Sequence, residues 1–120
     1  MKKTTLVLGA SVNTERYSNK AIQRLRVNNY KVFAIGAKKG TVLDVNIEKE
    51  KVLFEDVNTV TLYLNPTRQK EYYNYVLELK PRRVIFNPGT ENLEFENLLK
   101  ESGIETEIAC TLVLLSINQY

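Results

Sequence analysis

The chain has 120 residues, 43% of them hydrophobic and 26% charged, which suits one soluble globular domain (1–120) with a single core. Its net charge of +3 comes without a lysine or arginine run, and no histidine and only one cysteine are present. These counts argue against a nucleic-acid arm, an internal disulfide and a zinc site.

In chain order, residues 5–8 form a short apolar run that stops on Gly9-Ala10-Ser11, and Arg16-Tyr17-Ser18 lead into a helical pattern over 19–28 with Ser18 as the expected N-cap. Residues 31–35 make a second apolar run, ending at Gly36. The segment 40–56 breaks the rhythm, with a short strand or turn expected over 41–45. A third run covers 59–64, and a helix is expected over 67–79, after Asn65-Pro66. The fourth run is 83–86. The helix over 93–102 is capped by Asn92 and stopped by Gly103, with a fifth strand at 104–107 and a last short helix at 111–118. Each of the first four runs is mostly Val, Ile, Leu, Phe and Tyr rather than strictly alternating, as in strands buried on both faces. Alternation with helices predicts an α/β, Rossmann-like, doubly wound domain: a mainly parallel five-stranded sheet with helices on both faces.

The longest apolar run, 110–117, is interrupted by Thr111 and Ser116 and is far shorter than the roughly 20 residues that span a bilayer. The opening Met1-Lys2-Lys3 goes straight into a strand, too short for a secretory signal. A cytoplasmic protein without membrane or nucleic-acid partners is therefore expected.

Ligands of such sheets bind beyond the carboxyl ends of the strands. Those ends read Gly9-Ala10-Ser11, Gly36-Ala37-Lys38-Lys39-Gly40, Asn65-Pro66-Thr67 and Asn87-Pro88-Gly89-Thr90-Glu91. The first βα turn exposes backbone N–H groups to a phosphate, yet it lacks the second and third glycines of the dinucleotide fingerprint. Gly, Pro and Asn are also what tight turns use for their own sake. The second strand end discriminates most. An NAD site offers a carboxylate there to the ribose hydroxyls, whereas this chain offers Lys38 and Lys39. Lysines there suit a ribose phosphate, which NADP carries at the 2′ position and coenzyme A at the 3′ position. Other basic residues are placed at loops: Arg68, Lys70 and Arg82-Arg83.

Together, Gly9-Ala10-Ser11 with Arg16-Tyr17-Ser18, Ile35-Gly36, Asn87-Pro88-Gly89 and Cys110 after the last strand carry a resemblance over essentially the whole chain. The chain resembles the small single-domain CoA-binding proteins, whose Rossmann-like domain is similar to the nucleotide domain of the succinyl-CoA synthetase alpha subunit. It departs from the commoner form at the second strand end, where Ala37-Lys38 stands in place of an Asn-Pro pair. The resemblance implies that Gly9, Ala10 and Ser11 cradle the pyrophosphate, with Arg16 as a fork for its oxygens and Tyr17 and Ser18 closing the helix end. It implies Lys38 or Lys39 at the 3′-phosphate beside Gly36. Asn65 and Pro66 would border the adenine or the pantetheine arm, and Asn87, Pro88 and Gly89 would line the far side of the channel.

Cys110 is the one residue with nucleophilic potential. It reads either as a buried small hydrophobe or as a thiol near bound CoA, able to form a mixed disulfide with it. Glu91, the one carboxylate at a ligand-side turn, could act as a general base but is expected first to cap the next helix, and Tyr72, Tyr73 and Tyr75 are expected to serve as core and helix surface. Without histidine no Ser/His/Asp set exists, so no catalytic residue and no metal ligand is assigned. The leading expectation is a non-catalytic binder of CoA or acyl-CoA, with a homo-oligomer or an acyl-CoA enzyme as candidate partners. The alternatives are a small NADP-binding oxidoreductase-type domain and a Rossmann-like interaction module with no ligand.

Overall fold

The computed structural model describes residues 2–120; Met1 of the basic opening lies outside the described residues. Strand β1 (Thr5–Ala10) leads to helix α1 (Tyr17–Val27) and back to β2 (Val32–Gly36). A hairpin of β3 (Gly40–Val42) and β4 (Val45–Glu48) follows, and then β5 (Thr59–Leu62). Next come α2 (Pro66–Gln69), a 3₁₀ turn (Lys70–Tyr72), α3 (Tyr73–Leu79) and β6 (Arg83–Phe86). The chain closes with α4 (Leu93–Glu101), β7 (Glu105–Ile108) and α5 (Thr111–Ser116).

The sheet order is β3-β4-β2-β1-β5-β6-β7, and only the β3–β4 pair is antiparallel. The sheet therefore has seven strands, not the five expected. The two extra strands occupy the segment read as a short strand or turn over 41–45. They are three and four residues long and carry exposed polar residues such as Thr41 and Asn46. Their turn is made by Leu43 and Asp44, with Leu43 at φ 53°, rather than by the Asn-Gly or Asp-Gly that usually announces a hairpin. Ile47 and Glu48 of β4 pair in parallel with Ala34 and Ile35 of β2, so the hairpin extends the sheet.

Both faces of the central strands are covered, as their mostly apolar, non-alternating character predicts. Leu6 and Leu8, Val60 and Leu62, and Val84 and Phe86 point to one face, where Tyr75 and Val76 of α3 and Phe95 and Leu99 of α4 pack on them. Val7, Val32 and Ala34 point to the other face, under Ile22 and Leu25 of α1 and Leu115 of α5. Tyr73 stacks on Phe95 at 4.4 Å, and Tyr75 is buried, so these tyrosines are core and helix surface as expected.

Three local expectations change. Arg16, not Ser18, is the N-cap of α1, and Ser18 lies buried inside the first turn. The helix over 67–79 is interrupted at 70–72, directly after Gln69, whose side chain is fully buried and pinned to two carbonyls. Arg83, read both as the start of the fourth run and as a loop cation, is the first residue of β6 and not of a loop: it is 5% exposed, donating to Thr59 and to Glu107 at 2.8 Å each. Asn92 does cap α4, accepting from the Phe95 N–H at 3.2 Å, and Gly103 follows its C-cap at φ 78°. Among the described residues no helix is long and apolar enough to cross a membrane.

Candidate functional site

Chain order reverses its direction of growth at β1: β2 lies on one side, reached through α1, and β5 on the other. A crevice opens above the carboxyl ends at such a switch point. Here it is a cleft of about 710 Å³ walled by the turns after β1, β2, β5 and β6.

Its floor is Gly9-Ala10-Ser11. Gly9 sits at φ +100°, and a Cβ there would come within 3.0 Å of the Tyr63 carbonyl carbon, so the chain turns there only as glycine. Ser11 fixes the following loop: its Oγ accepts from the Asn13 N–H at 3.0 Å, and its carbonyl accepts from Asn19 Nδ2 at 3.0 Å. Arg16 O takes the N–H groups of Asn19 and Lys20. Those of Tyr17 and Ser18 precede the first intrahelical bond and stand available to an anion at the positive end of α1.

Arg16, Lys38 and Arg68 also line the cleft, and none of its lining residues is acidic. All three cations are exposed. The ion pairs among the described residues lie elsewhere: Arg26–Asp44, Lys51–Glu71 and Arg83–Glu107. Three cations lining one cleft, none of them in an ion pair among the described residues, make a field that attracts a multiply charged anion.

A family model for the CoA binding domain matches residues 3–116. The chain belongs to that family. Among curated proteins no relative matches. Among solved structures, this CoA-binding domain superposes at TM-score 0.97 on an uncharacterized protein of 51% identity, covering 100% of this chain and 99% of that one. A Thermus thermophilus protein, 25% identical, matches at TM-score 0.87 over 99% of this chain and 91% of its own. A dinucleotide-forming acetyl-coenzyme A synthetase 1 from Ca. Korarchaeum cryptofilum, in complex with phosphate and ADP, shares the fold at TM-score 0.71 and 11% identity. There 88% of this chain covers 25% of that one.

Of the residues singled out from sequence, Gly9, Ala10, Ser11, Arg16, Tyr17, Ser18, Lys38, Asn65, Pro88 and Gly89 border the cleft of the CoA-binding domain. Gly36, Lys39, Pro66, Asn87 and Cys110 do not. Gly36 answers a packing need: a Cβ there would lie 2.2 Å from the Ala10 carbonyl oxygen. Asn87 is a buried strut. Its Nδ2 donates to Thr61 Oγ1 at 2.7 Å and to the Leu62 carbonyl at 2.8 Å, while its Oδ1 accepts from the Thr111 N–H at 2.8 Å. Cys110 is half-buried at the N-cap of α5, so it is no fully buried hydrophobe. Glu91 does not cap α4; its Oε1 accepts from the Gly89 N–H at 2.8 Å and closes the turn after β6.

The cleft also contains Ala37 and Thr90 of the expected strand-end turns, together with Val12, Asn13, Tyr63, Leu64 and Arg68, which the sequence did not point to as cleft residues. Arg68 was visible only as one basic loop residue among several. The Tyr63 hydroxyl is buried without a hydrogen-bond partner, while the nearby Thr61 and Thr111 hydroxyls bond each other at 2.8 Å. Burial pushes its phenol up to about 12, and those two threonines pull the other way.

Proposed function

We propose that this domain is a non-catalytic binder of coenzyme A or an acyl-CoA, held at the carboxyl ends of the strands by the first βα turn. The observation that carries the reading is the acid-free cleft at the β1/β5 switch point, with Arg16 and Lys38 above a glycine-floored turn. In this reading the diphosphate rests on the N–H groups of the first turn and of α1, and Arg16 adds a fork for its oxygens. Lys38, after β2, meets the phosphorylated ribose. Lys39, outside the cleft wall, adds only longer-range attraction. Pantetheine runs toward the turns after β5 and β6, along Asn65, Pro88 and Gly89.

Lys38 would equally meet the 2′-phosphate of NADP, which keeps an oxidoreductase-type domain as the second reading. Calorimetric titration with CoA, dephospho-CoA and NADP separates the two. Binding of CoA, with a clear loss for dephospho-CoA and an affinity that falls with ionic strength, is expected. Heat with NADP and none with CoA would transfer the proposal to the second reading.

A further inference from the structure

Arg68 has a well-built seat and no structural employment. Its N–H donates to Asn65 Oδ1 at 2.9 Å, which fixes the first turn of α2. The next residue, Gln69, is fully buried, and its Nε2 donates to both the Leu64 and Thr90 carbonyls at 2.8 Å. Gln69 Oε1 accepts from Asn92 Nδ2 at 2.9 Å. The turn after β5 is thereby tied to the turn after β6, and the backbone beneath Arg68 has little room to move. Its side chain, by contrast, is exposed and borders the cleft, and it belongs to none of the ion pairs among the described residues. A rigid backbone under a guanidinium lacking an internal counter-charge is what recognition of an external anion requires.

Topology decides which anion. Lys38 follows β2 and Arg68 follows β5, on opposite sides of β1. Helix α1 packs on one face of the sheet and α3, continuing from α2, on the other, so Arg16 and Arg68 approach the end of β1 from opposite faces. What lies between them is the Gly9-Ala10-Ser11 turn. We propose that Arg68 closes a two-arginine clamp with Arg16 on a diphosphate above that turn, and that Lys38 alone reads the ribose phosphate. This rests on the coenzyme reading for the identity of the whole ligand, but the clamp itself requires only a diphosphate.

The test is calorimetric titration of the full chain and of its Arg68→Gln and Lys38→Gln variants with CoA, dephospho-CoA and ADP. Arg68→Gln is expected to weaken all three ligands by one common factor, about tenfold to a hundredfold for a lost charge-assisted pair. Lys38→Gln is expected to weaken CoA alone. Arg68→Lys should recover part of the loss, because it restores charge but not the fork. Unchanged melting of the variants would show that the fold is intact. A loss confined to CoA would move Arg68 to the ribose phosphate and overturn the clamp, as would an Arg68→Gln variant that binds every ligand like the parent. If the parent binds ADP through Arg68 but not CoA, the clamp stands and the coenzyme reading falls. If the parent binds neither, both fall.

Discussion

Gly36 shows how one residue type serves two ends that look alike in sequence. It stands at the end of β2, where a ligand glycine is expected, but the atom nearest to its missing Cβ is the Ala10 carbonyl oxygen at 2.2 Å. The β1–β2 register shifts at the same place, between Leu8 and Ala10, so the two backbones crowd there. A backbone oxygen cannot swing aside as a side chain can. Gly36→Ala should therefore cost stability as overpacking does, about 1–3 kcal/mol. The expected readout is a lower urea midpoint with an unchanged slope, whereas Lys38→Gln, on the exposed lip of the same turn, should leave the midpoint in place. Equal midpoints for Gly36→Ala and the parent would mean that the strands separate there at no cost.

Among elements, the α2 turn depends most on a single side chain. Gln69 supplies the only side-chain donor found on the Leu64 and Thr90 carbonyls among the described residues, and it accepts from Asn92, the cap of α4. Gln69→Leu keeps the volume but strands these buried groups, a change expected to cost about 1–3 kcal/mol for each group left dry. Denaturant unfolding should show that loss, and ligand affinity should fall with it although Gln69 does not line the cleft. An affinity equal to the parent's would mean that Arg68 keeps its place without the tie. Such a buried glutamine has no sequence signature, since Gln69 sits among Arg68, Lys70 and Glu71 like any residue of a solvated helix. Elements with one overriding requirement are legible. Strands β1, β5 and β6 are buried along nearly their whole length and carry a row of Leu, Val and Phe that announces them, and α4 states its limits through Asn92 and Gly103. The β3–β4 hairpin is illegible because a leucine occupies its left-handed turn position. The same divide runs through the site. The glycine turn and Lys38 stand at recognisable strand ends, but Arg68 acquires meaning only once β5 is placed beside β1.

On the scale of the whole molecule, the two faces of the sheet are closed unequally. Helices α3 and α4 cover one; α1, the short α5 and the tail cover the other. Tyr120 is the keystone of that second closure. Its hydroxyl bonds Thr5 Oγ1 at 2.6 Å, its ring meets Tyr30 edge-on at 5.1 Å, and the Arg83 guanidinium lies 4.5 Å from the ring centre. Burial pushes the Tyr120 phenol up to about 12, partly offset by the Thr5 bond and by Arg83, and Tyr63 on the same face is likewise pushed up to about 12. An unfolded tyrosine loses its proton near the ordinary value of 10.0, so between 10 and 12 the unfolded chain releases protons that the native one keeps. Stability must then fall as pH rises. The contribution is complete below about pH 10, declines by about 1.4 kcal/mol per pH unit for each tyrosine, and is gone above about pH 12. Urea unfolding followed over that window should show the decline, and Tyr63→Phe and Tyr120→Phe should each flatten it by one tyrosine's share. At neutral pH the two variants should part company. Tyr120→Phe loses the Thr5 bond, worth about 1 kcal/mol, whereas Tyr63→Phe removes a hydroxyl that bonds nothing and should be neutral or stabilising. If both variants follow the parent's alkaline slope, the second face opens to water before the sheet unfolds, and its closure is not part of the cooperative unit.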